Sequence, residues 1–205
     1  MRHATSKMAS FLSVGSLALA GLLWAPTAIA EKPLDRPADK AADKAADNAA
    51  WAVFLPKAGE VGSGQFRWWG FLVYDATLWS PLGQYQPGGP FALTLRYART
   101  VSKEDIVKAS IDQMRELGFA VDRNPEWTQK LDQAMESVKA GDTLTGVYTP
   151  GQGAVFFYND QLTGQIDERL AKAFFAIWLD PKTKQPALRQ ALLGQEAIRA
   201  PEVTQ

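Results

Sequence analysis

The chain has 205 residues, with 22 basic and 22 acidic groups, one histidine and no cysteine. Residues 1–30 hold Arg2, His3 and Lys7 and no acid; taking Arg2 and Lys7 from the 22 basic groups leaves 20 against 22 acidic ones, with no imidazole. Without thiol or imidazole, the remainder excludes Ser–His and Cys–His nucleophilic pairs, His- or Cys-ligated zinc, CxxC redox chemistry and disulfides, and its balanced charge excludes a phosphate-binding nucleic-acid surface.

The chain order begins with a leader. Arg2, His3 and Lys7 form a positive start, Phe11 to Trp24 is a short apolar stretch, and Ala28-Ile29-Ala30 supplies the small residues that a signal peptidase accepts. Residues 1–30 therefore read as a signal peptide cut after Ala30, and the expected location is a bacterial periplasm. Membrane contact is then limited to the leader during export. The alternative is an uncleaved anchor, which the length of the apolar stretch disfavours. Residues 31–50 carry Ala-Asp-Lys repeats with no apolar stripe and read as a flexible linker.

The folded domain is expected over 51–194, followed by a polar tail at 195–205. Trp51 to Leu55 alternates up to Pro56 and reads as a short strand. Gly59 to Trp69, loosened by Gly59, Gly62 and Gly64, reads as a second strand. Phe71 to Ser80 is a third, with Phe71, Val73, Asp75, Thr77 and Trp79 on one face and Leu72, Tyr74, Ala76 and Leu78 on the other. The glycines and prolines between Pro81 and Pro90 mark a loop, and Phe91 to Tyr97 is a fourth strand.

Ser102 opens a helix whose stripe runs through Ile106, Ser110, Met114 and Leu117 to Gly118. Asn124-Pro125 opens another, with Trp127, Leu131, Met135 and Val138 on its buried face and Gly141 as its end. Thr143–Thr149, Ala154–Tyr158 and Leu162–Ile166 are strands joined by Pro150–Gly153 and by the Asn159-Asp160 turn. Asp167 caps a long helix running to Leu179, stopped by Asp180-Pro181, and a short helix follows from Pro186 to Leu193. Strands, two helices, strands and helices make an α+β fold, a largely antiparallel sheet packed by helices.

Asp75 is the conspicuous polar residue, a carboxylate in an otherwise apolar strand. It is expected either to form a structural ion pair with Arg96 on the next strand or to sit in a ligand cavity. Asp142 reads as a turn carboxylate that caps backbone donors, and Arg189 as a tie from the last helix to a carboxylate or carbonyl. The residues show no catalytic constellation, metal site or cofactor motif.

Tyr74-Asp75-Ala76-Thr77-Leu78-Trp79, Leu95-Arg96-Tyr97, Gly141 to Tyr148, Phe156-Phe157-Tyr158-Asn159 and Phe174 to Gly194 together resemble the bacterial chalcone isomerase-like domain, over about residues 58–194. The resemblance implies an open-faced β-sandwich, with a large antiparallel sheet wrapped by helices and a cleft between them for an apolar ligand. The plant isomerases of that fold rely on an Arg, a Thr, a Tyr, an Asn and a Ser or Thr. Laid on this chain, those positions fall near Gly64 and at Asp75, Ser102, Ala109 and Ile177, so none keeps its residue; a slip in alignment brings in Arg67 or Thr77. Without the cation, the developing enolate loses its stabilisation.

The resemblance, with plastid relatives that resemble fatty-acid binders, implies a non-catalytic protein holding a fatty acid or an aromatic molecule. Its expected walls are Val73, Asp75, Leu95, Tyr97, Met114, Phe157 and Phe174. The alternatives are an isomerase- or lyase-type enzyme with Asp75 as base and Tyr97 or Tyr158 as donor, and an envelope protein-interaction module using its aromatics.

Overall fold

The structure is a computed structural model that describes residues 49–195. The leader at 1–30, nearly all of the linker and the tail from 196 onward lie outside the described residues.

Six antiparallel strands form one sheet in chain order: β1 (Ala58–Trp68), β2 (Phe71–Pro81), β3 (Phe91–Tyr97), β4 (Thr143–Thr149), β5 (Gly153–Tyr158) and β6 (Gln161–Ile166). Four helices, α1 (Lys103–Glu116), α2 (Glu126–Ala134), α3 (Glu168–Leu179) and α4 (Pro186–Leu192), supply the other layer. The strands alternate as strands half-covered by helices must. Ala76 and Leu78 of β2, Leu93, Leu95 and Tyr97 of β3, Leu144 and Tyr148 of β4, and Phe156 of β5 share one core with Val107, Met114, Leu131, Phe174 and Trp178 from the helices. The intervening residues form a smaller cluster on the other face, where Trp79, Ala92, Val147 and Phe157 meet Trp51 and Leu55.

The helix starts follow from their caps. Ser102 Oγ accepts from the Asp105 amide at 3.1 Å and donates to the Asp105 carboxylate at 2.9 Å. Asp167 Oδ1 accepts from the Arg169 and Leu170 amides that open α3. Arg189 Nε donates to the Leu179 carbonyl at 2.8 Å, the tie expected between α4 and the end of α3.

Three elements depart from the sequence expectation. Trp51–Leu55 is no strand: Ala50–Phe54 is a 3₁₀ turn that stands on the outer face of the sheet. Trp51 and Leu55 point inward, with Trp51 5.8 Å from Trp79 between ring centroids, while Val53 is exposed. Five residues ending at a proline gain more by laying two large side chains on a sheet than by extending. The second helix ends at Ala134 rather than Gly141. Val138 leaves it to form a bridge with Val101, so Met135 and Val138 are buried as expected but from extended backbone. Asn124 does not cap α2 with its side chain, because its Nδ2 donates back to the Ala120 carbonyl at 2.6 Å.

The glycines of β1 have a packing role. A Cβ on Gly62 would lie 2.2 Å from the Ala191 carbonyl oxygen, and one on Gly64 would lie 2.9 Å from Leu188 Cδ1. Their bare backbone is what lets α4 lie directly on β1. Gly62→Ala is therefore expected to cost about 2–3 kcal/mol, read by chemical denaturation, because the atom it strikes is main chain and cannot rotate away.

Candidate functional site

An apolar cavity of about 140 Å³ opens between the helix-facing side of the sheet and helices α1 and α3. The sheet contributes Leu93, Leu95 and Tyr97 from β3, Leu144 and Gly146 from β4, and Phe156 from β5. Gly146 lets two of the wall rings pack against the strand, since a Cβ there would come within 2.9 Å of both the Phe156 and Phe175 rings. Helix α1 lends Ile106, Ala109, Ser110 and Gln113, helix α3 lends Phe174, Phe175 and Trp178, and Phe66, Val73 and Tyr74 close the side towards the β1–β2 hairpin. A second, more open hollow of about 190 Å³ lies beyond Phe175, between Tyr85, Tyr148 and Leu179.

The polar groups in the cavity are few. Trp178 Nε1 donates to the Tyr74 hydroxyl at 3.1 Å, and the Tyr74 and Tyr97 rings meet edge to face at 5.5 Å. The Tyr97 hydroxyl and the Gln113 amide have no hydrogen-bond partner among the described residues. Ser110 Oγ donates to the Ile106 carbonyl of its own helix. The charged residue in the lining is Asp105, bound to Ser102 at the start of α1. Burial pushes the Tyr74 hydroxyl well above the usual phenol range, against a smaller opposing effect of the Trp178 bond. Burial does the same to Tyr97, and the neighbouring Tyr74 adds to it. Both hydroxyls are therefore protonated at neutral pH. They can donate a hydrogen bond to a ligand.

Of the wall residues expected from sequence, Val73, Leu95, Tyr97 and Phe174 line this cavity. Met114 does not; it is fully buried in the main core. Phe157 belongs to the cluster on the opposite face of the sheet, 5.7 Å from Phe54. Asp75 is also on that face, exposed and away from the cavity. Its expected ion pair is absent among the described residues. Arg96 is its partner in register, but Asp75 Oδ1 accepts from Gln65 Nε2 at 2.9 Å, and Arg67 Nη2 donates to Gln65 Oε1. Both side chains are exposed, so solvent rather than a partner satisfies the guanidinium of Arg96. Tyr158, the other expected donor, bonds Asp142 at 2.8 Å. Asp142 also accepts from the Lys139 amide and from Asn159 Nδ2. The Asn159 bond, followed by the Lys139 amide, holds the Asp142 carboxyl below the usual carboxylate range.

Tyr74, Gln113, Phe156 and Trp178 belong to the site but not to the set expected from sequence. For the two strand residues, Tyr74 and Phe156, the signal that could have found them is parity. Tyr97 and Leu95 pair in register with Tyr74 and Ala76, so the row of β2 that shares their face is the even-numbered one.

A family model described as chalcone isomerase-like matches residues 80–194. An uncharacterized protein of Haemophilus influenzae is 24% identical over 136 residues, covering 66% of this chain and 67% of its own length. Among solved structures, a fatty-acid binding protein of Arabidopsis thaliana superposes with a TM-score of 0.55 at 12% identity, over 68% of this chain and 88% of that one. At that identity the likeness is one of fold: an open antiparallel sheet with helices on one side.

Two outcomes follow for the side chains around the sheet. Asp75→Asn is expected to change stability by no more than about 0.5 kcal/mol, measured by denaturant titration, since an amide can keep the Gln65 contact in solvent. All five tyrosines are shifted upward, Tyr148 to about 12 through burial and its bond to Glu168. A phenol whose folded value is raised keeps its full contribution below its unfolded value of 10.0 and loses it as pH rises through the folded value. Stability is thus expected to fall as pH rises above 10, read by denaturant titration across that range.

Proposed function

The chain belongs to the chalcone isomerase-like family, and we propose that it uses the family's scaffold to hold a small apolar molecule rather than to convert one. The observation that carries this reading is the cavity itself. Its walls are aromatic and aliphatic, its two phenols are held protonated, and its carboxylate is engaged in capping a helix. That combination suits retention of a guest by burial, with one or two hydrogen bonds to orient it. The Arabidopsis neighbour, by its description a fatty-acid binding protein, supports an apolar guest as a class.

Size and charge narrow the guest. A closed cavity of about 150 Å³ lined by Leu, Ile and Phe takes up benzene, so this space suits one ring or a comparable length of hydrocarbon. A longer chain would have to extend through the mouth. A carboxylate head would meet Asp105, whereas the Tyr97 hydroxyl and the Gln113 amide offer partners to a neutral hydroxyl or carbonyl. We favour an uncharged aromatic or short-chain molecule over a fatty-acid anion. In this reading the leader at 1–30, cut after Ala30, delivers the domain to the periplasm, where it meets such molecules.

The test is native mass spectrometry of the chain purified from its producing cells. The expected result is an added small-molecule mass that disappears in Ala109→Phe, which places a ring at the rim of the cavity on an exposed helix position. That variant should keep its stability within about 1 kcal/mol, since only helix propensity changes. A ligand-free protein that also takes up no neutral aromatic alcohol in calorimetric titration would sink the reading.

A further inference from the structure

At the tip of the β1–β2 hairpin, Trp68, Trp69 and Phe71 are 60, 85 and 68% exposed. Three large aromatics standing in water around the one turn of a two-stranded ribbon are unfavourable for folding, and the backbone adds to the cost. Trp69 and Gly70 take φ of +49° and +81°, a turn in which the first position favours Asn, Asp or Gly. A bulky residue in the left-handed region at the most exposed point of the sheet contributes nothing to the core. Arg67 Nη1 donates to the Gly70 carbonyl at 3.1 Å and holds the turn in this shape.

Against the expectation that membrane contact is limited to the leader, we propose that this tip is a membrane-docking element that inserts Trp68, Trp69 and Phe71 into the headgroup region of an anionic bilayer. Three observations select a bilayer over a protein partner. The exposed aromatic area is on the order of 400 Å², well short of the roughly 800 Å² per side of a stable protein interface, yet enough to seat a narrow ribbon in lipid. Tryptophan is the side chain that the membrane interface favours, with an apolar body and one N–H left for water or a headgroup. The charge also fits: Phe66 to Leu72, the tip itself, holds Arg67 and no carboxylate, the nearest one, Asp75, being held by Gln65 behind the tip. Arg99, at the end of β3 where Ala98 bonds the Val73 carbonyl, adds an exposed second cation. Exposed Leu162, just past the β5–β6 turn, lies at this same end of the sheet.

The hairpin also has a second attachment. Phe66, Val73 and Tyr74, a few residues back from the tip, close one side of the cavity. Docking at the tip therefore sets the cavity next to a lipid phase, from which an apolar molecule could pass. The docking itself does not depend on whether the cavity is loaded.

The test mixes the chain purified from its producing cells with vesicles of phosphatidylethanolamine and phosphatidylglycerol, their acyl chains brominated, and with vesicles of phosphatidylcholine alone. Co-sedimentation and quenching of tryptophan emission are read for the wild type, for Trp68→Thr/Trp69→Asn/Phe71→Thr and for Arg99→Ser. The triple variant is expected to lose affinity for the anionic vesicles on the order of tenfold or more. Its melting temperature should hold or rise, since Asn suits the left-handed turn position and Thr suits an exposed strand. Arg99→Ser should weaken the preference for anionic lipid. The proposal is overturned if the triple variant binds and is quenched as strongly as the wild type, or if the wild type ignores anionic vesicles. It is also overturned if the wild type ignores vesicles and forms concentration-dependent oligomers that the triple variant loses, which makes the tip a contact between copies.

Discussion

The cross-strand register of β2, β3 and β4 is the constraint from which the rest follows. Tyr74 stands opposite Tyr97, Ala76 opposite Leu95 and then Leu144, and Leu78 opposite Leu93 and then Gly146. Each of these rows faces the helices. The rows between them, including Asp75 with Arg96 and Thr94 with Thr145, face the other way. In a pleated sheet a slip of one residue exchanges the two sets, so the burial of one face holds the register and the register in turn decides which side chains can reach the cavity. Gly146 falls in an inward row, where the missing side chain lets the Phe156 and Phe175 rings pack down on the strand. The cavity lies beside these rings, between the inward rows and the helices.

Two further contacts hold this arrangement at its ends. Asp142 gathers the Lys139 amide, the Tyr158 hydroxyl and Asn159, while its carbonyl accepts from the Tyr97 amide, so one residue joins the start of β4 to β3 and to the β5–β6 turn. At the other edge, Gly62 and Gly64 admit α4 against β1. The outer face has lighter cover. There the 3₁₀ turn with Trp51 and Leu55 seals the apolar cluster, and Trp79 Nε1, Thr94 and Thr145 form a hydrogen-bonded row beside it. This asymmetry makes the sandwich open-faced, and it leaves Asp75 in solvent, where a carboxylate needs no buried cation.

Family membership and site chemistry answer different questions here. The match over residues 80–194 establishes the scaffold, while the cavity's protonated phenols and unpaired amide are hydrogen-bond donors set in an apolar wall. The aromatics divide in the same way. Phe156, Phe174, Phe175 and Trp178 are enclosed walls, and their edge-to-face packing fixes the shape of the hollow. Trp68, Trp69 and Phe71 have no such neighbours beyond one another, so their role lies outside the fold.

Most of the elements were legible in the chain. The helix stripes after Ser102 and Asp167, the strand alternation from Tyr74 to Trp79 and from Phe91 to Tyr97, and the turns at Asn159-Asp160 and Gly194 each carry a local signal that tertiary contacts did not override. At Val73 a bulge opposite the Phe66–Arg67 step breaks the alternation and places that residue in the cavity lining rather than on the face of Asp75. Trp51–Leu55 and Met135–Val138 were misread because a run of five apolar residues, or a stripe spaced by three and four, fits more than one backbone. Only a partner surface chooses between them: Trp79 in one case and Val101 in the other. The site was half legible for a related reason. Alternation determined that Asp75 and Phe157 are on opposite sides of their strands from Tyr74 and Phe156, and nothing local could say which side the helices would cover. Both rows of β2 carry large apolar residues, so the period of two is symmetric with respect to inside and outside. The sequence by itself determined most of the strands and helices and the absence of thiol chemistry. The tertiary structure alone decided which face is the interior, because that choice is made by the helices that dock on the sheet and not by the strands they cover.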